Sequence, residues 1–315
     1  RKSKECRLII TEGDSAAPFA IAGLDIIGRD KYGVFPIRGK MLNVRDAPTK
    51  QIGKNEEIKQ IKKIIGLQQG VVYNESNIDK LRYGGIFLLA DADVDGYHIM
   101  GLVINFIETF WPELLQIKGF FQTMNTPIIK AYKKSDTKAK HAIKFYTMCD
   151  YNKWRDEMGV SINRWQVDYF KGLGSSDDNS ARDAFKDFEK KLLSFVWEPG
   201  TTPKKCIQDK HSDEKSEKSN KSETEKEVKN EANETSKSHD AIMLAFSKAL
   251  IYRRKQWLEK YDKNLILIPK NQEIPYSEFF NETFIHFSNE DIIRSIPSLC
   301  DGLKPSQRKI MHHAI

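Results

Sequence analysis

The sequence is poor in cysteine, and its few cysteines are far apart. The four are Cys6, Cys149, Cys206 and Cys300; they form no CxxC pair, and no histidine stands at the spacing of a zinc finger. This pattern argues against zinc-finger domains and against a framework of disulfides, both of which need closely spaced cysteines. We interpret all four as the reduced thiols of an intracellular protein.

The sequence also lacks a secretory leader and a long apolar run. Three of its first four residues are basic, and only a short apolar stretch follows them. The longest apolar region, from Ile99 to Leu115, is interrupted by Asn105, Glu108 and Glu113. It therefore predicts a core helix and not a membrane span. We expect a soluble protein with no membrane partner.

Aromatic residues are missing from a long stretch of the second half. None occurs between Asp209 and His239, where Val228 and Ala232 are the only aliphatic residues. Such a segment buries too little apolar surface to offset the entropy lost on ordering it. We therefore predict a disordered, low-complexity insert over residues 201–239.

Basic residues are in modest excess. The 51 Lys and Arg outnumber the 44 Asp and Glu, which gives a formal net charge of +7. This excess favours a polyanionic partner only weakly, because many cytosolic domains carry as much. The sequence starts almost directly in a predicted strand and stops inside a predicted helix, so we expect a piece of a longer protein.

The first 130 residues alternate short apolar runs with amphipathic segments. Strands are expected at 7–11, 32–37 and 85–90, and helices at 16–24, 55–67 and 97–115. This alternation is typical of an α/β fold with a parallel sheet covered by helices on both faces. Ligands of such a sheet bind at the carboxyl ends of its strands.

The remaining residues predict less regular structure. We expect strands at 120–132, 143–148 and 166–170, and helices at 181–195, 241–261 and 292–315. The chain then divides into an α/β core at 1–130, an appended α+β part at 131–200, the insert at 201–239, a connecting helix and linker at 240–275, and the start of a further unit at 276–315.

Three aspartates directly follow the most apolar strand. In an extended run Asp91, Asp93 and Asp95 would lie on one face, since side chains alternate along a strand. Carboxylates so close together repel one another unless a cation compensates them. Oxygen ligands at this density suit a hard cation, Mg²⁺ first.

The aspartate run allows two other interpretations. The run matches the start of an EF-hand loop, but Leu102 stands where that loop needs its final Glu, and a strand precedes the run in place of a helix. A solvated acidic turn is also common on protein surfaces. Glu12 favours the metal site over an acidic turn. It closes the first predicted strand, and the ends of parallel strands can be neighbours, which would bring Glu12 to the aspartates.

A basic segment supplies the opposite charge. Arg38, Lys40 and Asn43 follow a predicted strand, and Gly39 between the two cations permits close approach of a phosphate. One basic turn by itself is an ordinary surface feature. Beside a carboxylate–metal cluster, however, such cations are what phosphodiester chemistry needs.

These motifs together resemble a known family. Glu12-Gly13-Asp14-Ser15-Ala16 and the aspartate run resemble the Toprim domain, and the segment 36–46 resembles the Toprim domain of type IIA topoisomerases. Lys171-Gly172-Leu173-Gly174 and the segment 245–248 resemble the eukaryotic topoisomerase II branch. Residues 296–309 resemble the entry to its winged-helix domain, which is the unit expected at 276–315. The similarity covers nearly the whole chain outside the insert.

The resemblance implies a function and a set of site residues. It implies an ATP-dependent, homodimeric nuclear enzyme that passes one DNA duplex through a transient double-strand break in another. It implies Mg²⁺ bound by Glu12, Asp91, Asp93 and Asp95, with Arg38 close to the cleaved phosphate. It implies DNA contacts from the residues Lys40, Asn43, Lys248 and Lys304. The family's nucleophilic tyrosine is expected beyond residue 315 and its ATPase domain before residue 1.

Two other functions use the same type of metal site. A Toprim nuclease or primase would need neither the segment Pro36-Ile37-Arg38-Gly39-Lys40 nor the winged-helix entry, and this sequence has both. A DNA-binding module without catalysis is the third possibility, because metal and phosphate ligands are present without the expected tyrosine.

Overall fold

The computed structural model describes residues 2–136, 141–146, 148–169, 172–175, 178–198 and 236–314. The strands are β1 (Arg7–Glu12), β2 (Tyr32–Ile37), β3 (Gly85–Leu89), β4 (Phe121–Met124), β5 (Ile129–Lys133), β6 (Ile143–Phe145), β7 (Trp165–Tyr169), β8 (Leu192–Val196) and β9 (Glu273–Pro275). The helices are α1 (Gly13–Ile27), α2 (Thr49–Lys54), α3 (Glu56–Ile65), α4 (Val94–Phe110), α5 (Pro112–Gln116), α6 (Met148–Met158), α7 (Asp178–Phe185), α8 (Phe188–Lys191), α9 (Lys237–Phe246), α10 (Ile251–Glu259), α11 (Tyr276–Glu278), α12 (Ile285–Ser295) and α13 (Pro305–Ala314).

A six-stranded sheet in the order β2-β1-β3-β4-β8-β9 forms the centre of the fold. The first four strands run parallel, β8 is antiparallel to β4, and β9 is parallel to β8. This arrangement confirms the predicted α/β class. Because β1 lies between β2 and β3, the carboxyl ends of these three strands meet at one edge of the sheet.

Both faces of the central sheet are buried, as alternation along β1 shows. Leu8 and Ile10 belong to a large core cluster with α3, α4 and α5 on one face. Ile9 points to the other face and packs with α1 and α7, where Phe185 is fully buried. A strand buried on both faces is a continuous apolar run, which explains why β1 and β3 could be recognised in the sequence.

Two predicted elements differ from the structure between residues 120 and 195. The strand expected at 120–132 is two strands in different sheets, because β5 pairs with β6 and β7 in a separate antiparallel sheet. The helix expected at 181–195 ends early, and its last residues form β8 in the central sheet. The run Leu192-Leu193-Ser194-Phe195-Val196 is short, apolar and partly β-branched, so its own sequence favours the strand.

The predicted insert lies mostly outside the described residues, but its last four residues are structured. Ser236 precedes α9, and both Ser236 and Ser238 are buried. The hydroxyl of Ser236 donates to the backbone oxygen of Glu198 at 2.9 Å. The boundary expected at 239 is therefore too late by several residues.

Residues beyond Pro275 pack into the main core. Tyr276, Phe279 and Phe280 are buried in the same cluster as α4 and α5. A break in packing therefore does not coincide with the expected start of a further unit at residue 276. Within the described ranges, no helix is both long and apolar enough to cross a membrane.

Candidate functional site

Glu12 and Asp91 meet at the carboxyl edge of the central sheet. Glu12 ends β1 and Asp91 follows β3, and these two strands are paired in parallel. The backbone N–H of Asp91 donates to Glu12 Oε2 at 3.3 Å. Glu12 and Asp91 are therefore neighbours, as the sequence predicts, because their strands lie side by side in the sheet.

The environment of Glu12 disfavours its negative charge. The pKa of Glu12 is raised to about 7, first by burial and then by the charge of Asp91, with Asp93 and Asp95 adding to it. Burial also raises the pKa of Asp91, although a backbone hydrogen bond from Leu173 opposes this. The two carboxylates thus carry negative charge that the described residues do not compensate.

The turn that contains Gly172 and Leu173 holds the side chain of Asp91 in place. The backbone N–H of Leu173 donates to Asp91 Oδ1 at 2.7 Å. A Cβ atom on Gly172 would lie 2.5 Å from Asp91 Oδ2, and the φ of this residue is +154°. Only glycine fits so close to the carboxylate, which gives a physical reason for the Lys171-Gly172-Leu173-Gly174 motif.

The aspartate run is not extended, which corrects the sequence-based geometry. Asp93 is the N-cap of α4, and its Oδ1 accepts from the backbone N–H of Gly96 at 2.8 Å. Asp95 lies in the first turn of this helix. The three carboxylates therefore do not share one face of a strand.

Asp95 is paired with two cations. Arg294 Nη1 and Nη2 donate to its two oxygens at 2.9 and 2.7 Å, and Lys40 Nζ donates to Oδ1 at 2.6 Å. These partners, Arg294 first, hold the pKa of Asp95 well below its usual range. Both Asp95 oxygens are engaged by these cations in this arrangement, and the assignment of Asp95 as a metal ligand stays a prediction.

The four predicted metal ligands are near one another but are not arranged as a complete metal-binding site in the described residues. Among the residues that the structure describes, no three His, Cys, Asp or Glu side chains are grouped so that they could hold a metal ion. Of these four, Glu12, Asp91 and Asp93 have no side-chain cation partner in the described residues. They remain the candidate ligands.

The basic segment begins directly beside Glu12. Glu12 is in register with Ile37 at the end of β2, so Arg38 and Lys40 extend from the neighbouring strand. Arg38 is largely exposed, and its Nε lies 3.6 Å from Asp14 Oδ2. Lys40 Nζ lies 5.1 Å from the ring centroid of Phe287 while it pairs with Asp95.

Asn43 has a structural position that the sequence did not predict. Its Nδ2 donates to the backbone oxygen of Phe246 at 3.0 Å, and its Oδ1 accepts from Asn105 Nδ2 at 3.0 Å. The same oxygen accepts from the backbone N–H of Arg45 at 3.1 Å. The amide is used inside the protein, so the arrangement does not support a direct DNA contact by Asn43.

The other two predicted DNA contacts, Lys248 and Lys304, differ in whether they contact the basic segment. Lys248 is exposed, and its backbone N–H donates to Asp46 Oδ2 at 2.5 Å, which links it to the basic segment. Lys304 directly precedes α13, and its backbone N–H donates to Gln307 Oε1 at 2.8 Å. The side chain of neither lysine has an ion pair within the described ranges.

Two family matches cover this architecture. Residues 7–124 match the Toprim domain, which comprises β1 to β4 and the carboxylate edge. Residues 124–231 and 210–292 match the C-terminal associated domain of TOPRIM. The boundary between the matches falls at the end of β4.

Two relatives, both DNA topoisomerase 2, match this chain over nearly its whole length. It is 44% identical to DNA topoisomerase 2 of Acanthamoeba polyphaga mimivirus, over 100% of this chain and 26% of that protein. It is 42% identical to DNA topoisomerase 2 of Saccharomyces cerevisiae, over 99% of this chain and 19% of that protein. The chain belongs to the topoisomerase II family. It spans about a quarter or less of the length of these two relatives.

A solved structure of the topoisomerase II family supports the same fold. The crystal structure of the Plasmodium falciparum topoisomerase II DNA-binding, cleavage and re-ligation domain matches with a TM-score of 0.77 at 38% identity. The match covers 99% of this chain and 36% of that chain.

Two features of the site could not be predicted from the sequence. Arg294, the bidentate partner of Asp95, is 199 residues away from it in sequence, and no local pattern connects the two. A buried network also joins the basic segment to the helices: Arg45 Nη2 donates to Glu108 Oε2, and His239 Nδ1 lies 2.5 Å from Glu108 Oε1. The charged residues were visible in the sequence, but not their partners.

Proposed function

We propose that this chain supplies the metal-binding and DNA-phosphate-binding part of a DNA-cleaving topoisomerase II. In the complete reaction a tyrosine oxygen bonds to a phosphorus atom while the bond from that phosphorus to a deoxyribose oxygen breaks. A second duplex passes through the paired breaks, and the reverse attack reseals the DNA without further energy input.

The observation that carries the proposal is the pairing of uncompensated carboxylates with cations at one sheet edge. Glu12 and Asp91 sit at the ends of paired strands, with the pKa of Glu12 raised to about 7 by burial and its acidic neighbours. The cations Arg38 and Lys40 emerge from the adjacent strand β2. Phosphodiester chemistry uses this combination of a carboxylate-held cation and flanking positive side chains.

The carboxylates fit a divalent cation. Oxygen-only ligands that repel one another are the donor set of Mg²⁺, and Glu12, Asp91 and Asp93 would hold it. When bound, the ion would stabilise the negative charge that develops on the phosphate and leaving oxygens. The backbone of Leu173 keeps Asp91 oriented toward this position.

The cations have separate tasks in this proposal. Arg38, exposed beside Glu12, holds the phosphate at the cleavage position, and Lys248 and Lys304 bind flanking phosphates by charge. Lys40 pairs with Asp95 and binds a flanking phosphate with its remaining N–H donors. Asn43 positions the basic segment through its bonds to Phe246 and Asn105. Its role is therefore structural support of the DNA contacts.

The wider assembly is part of the same proposal. We infer that the nucleophilic tyrosine and the ATP-hydrolysing domain belong to the additional length that the relatives have. The complete protein would act as a homodimer, because a double-strand break needs two tyrosines. Resemblance to the eukaryotic branch favours the nucleus as its location.

Thermal unfolding with and without Mg²⁺ tests the metal assignment. We expect Mg²⁺ to raise the melting temperature of the wild-type chain, because bound cation removes the repulsion between Glu12 and Asp91. Asp91→Asn should abolish this rise, and Glu12→Gln should abolish or strongly reduce it. Glu75→Gln, an exposed carboxylate remote from the edge, is the matched control and should keep the full response. An unchanged Mg²⁺ response in Asp91→Asn would refute the site.

A further inference from the structure

A small cavity adjoins Asp91, which is one of its lining residues. It is enclosed between β5, β6 and α7, next to the turn of Gly172 and Leu173, and Phe19 and Ile128 contribute apolar walls. Its volume of ≈ 60 Å³ has room for a handful of water-sized atoms. A compact group such as a phosphate therefore fits inside it.

Two lysines stand side by side in the wall of this cavity. Lys130 and Lys144 line it and are directly opposite in the antiparallel pair of β5 and β6. Like charges in this position destabilise a sheet. Neither ammonium has a hydrogen bond or an ion pair to any residue that the structure describes. Asp168 is in register with Lys130 on the other side, but no ion pair joins them.

A third lysine points into the same region. Lys191 lines the cavity, and its Nζ donates to the backbone oxygens of Asp183 and Ala184 at 3.2 and 2.6 Å. Burial lowers the pKa of Lys191, and the charge of Lys144 lowers it further. The two ammonium groups therefore affect each other across the cavity.

Two acidic residues, Asp91 and Asp183, also line the cavity, and neither forms an ion pair with Lys130, Lys144 or Lys191. Asp183 forms its ion pair with Lys186 at 2.6 Å. The pKa of Asp183 is lowered mainly by Lys186, with Lys130 and Lys144 adding to the effect, so all of these lysines surround one carboxylate. A bound anion would convert the repulsion into attraction, and it would form charge-assisted hydrogen bonds with the free ammonium groups.

We propose that this cavity, at Lys130, Lys144 and Lys191, is a second anion site that binds a phosphate group. The site adjoins the carboxylate edge, because Asp91 belongs to both, but it does not rest on the cleavage function proposed above. A tetrahedral phosphate has few heavy atoms and several acceptor oxygens, which matches the volume and the number of lysines. The phosphate comes either from a small phosphate compound or from a nucleic-acid backbone.

Titration with inorganic phosphate at constant ionic strength, followed by ³¹P NMR and by melting temperature, tests the site. Wild type should bind phosphate and melt at a higher temperature. The double variant Lys130→Gln/Lys144→Gln should bind at least ~10-fold more weakly, since two charge-assisted bonds are lost. Without phosphate its melting temperature should equal or exceed that of wild type, because the cross-strand repulsion is gone.

A control with the same change in net charge separates the site from general electrostatics. Lys63→Gln/Lys80→Gln alters two exposed lysines outside the cavity and should leave phosphate binding unchanged. Lys144→Gln alone, at an exposed position, should weaken binding without affecting the fold. Equal phosphate affinity in wild type and in the Lys130/Lys144 double variant, or no binding to wild type, would overturn the proposal.

A duplex-DNA arm identifies the source of the phosphate. If the site binds DNA backbone, the double variant lowers duplex affinity and reduces the salt dependence by about two units relative to the control. If it binds a small phosphate compound, duplex affinity is unchanged while inorganic phosphate binding is lost. Failure of the Mg²⁺ response at Glu12 would leave either result standing.

Discussion

At the scale of single residues, Glu12 and Asp95 belong to one acidic cluster but differ in their charged partners. Glu12 is half-buried beside Asp91 and has no cationic side-chain partner among the described residues, whereas Asp95 accepts bonds from both Arg294 and Lys40. Their pKa values consequently move in opposite directions, upward for Glu12 and downward for Asp95. We therefore expect an added cation to stabilise the ionised form of Glu12 more than that of Asp95.

This difference predicts a pH dependence for Glu12. Its pKa in the folded protein is about 7 against an ordinary value of 4.5, so the folded state binds more protons than the unfolded state between these values. Stability should therefore fall as pH rises from about 4.5 to about 7. Glu12→Gln removes this loss and should be more stable than wild type at pH 8, by on the order of 1 kcal/mol after allowance for solvent screening.

Denaturant unfolding across this pH range, in EDTA, measures the effect. The difference between Glu12→Gln and wild type should vanish near pH 4.5 and shrink at pH 8 when Mg²⁺ is added. A variant that is less stable than wild type at pH 8 in EDTA would show that the charge of Glu12 is compensated in the fold.

At the scale of elements, the segment after β2 is fastened to α4 and α9 by buried polar groups. Glu108 on α4 is 3% exposed and contacts both Arg45 and His239. Burial acts to raise the pKa of Glu108, but the bonds from His239 and Arg45 outweigh it and lower the pKa. The network fixes where the basic segment lies relative to Glu12.

Glu108→Gln should be strongly destabilising. It leaves the largely buried guanidinium of Arg45 without its carboxylate, and breaking such a pair costs about 3–5 kcal/mol. Chemical denaturation measures the loss, with Glu113→Gln, on the next helix and outside the network, as the control. A loss below about 1 kcal/mol would mean that water replaces the carboxylate at little cost.

At the scale of the whole molecule, local pattern predicted the half of the fold that surrounds the carboxylates. β1, β2 and β3 are consecutive apolar or β-branched runs, and their parallel order brings Glu12 to Asp91. The pairing of β8 and β9 with the central sheet, and of Arg294 with Asp95, joins residues far apart in sequence. No local periodicity encodes such contacts, so only the three-dimensional structure shows them.

The whole-chain charge predicts salt-dependent binding to duplex DNA. Arg38→Ala and Lys304→Ala should each weaken binding and reduce the salt dependence by about one unit, if each contacts one phosphate. Lys63→Ala, exposed on α3, should change neither. Fluorescence anisotropy with a duplex at several salt concentrations measures this. Equal slopes for all three variants would remove Arg38 and Lys304 from the DNA surface.

The central claim is that the carboxylate edge of this chain serves DNA cleavage by a topoisomerase II. Its most direct test is a chimera in which residues 1–315 replace the corresponding part of the Saccharomyces cerevisiae relative. Relaxation of supercoiled plasmid by this chimera is followed with ATP and Mg²⁺. The chimera should relax the plasmid and form covalent protein–DNA adducts on denaturing gels. The same chimera with Glu12→Gln should still bind DNA but form no adducts, while Glu75→Gln should behave as wild type. Adducts formed at the wild-type rate by the Glu12→Gln chimera would contradict the account.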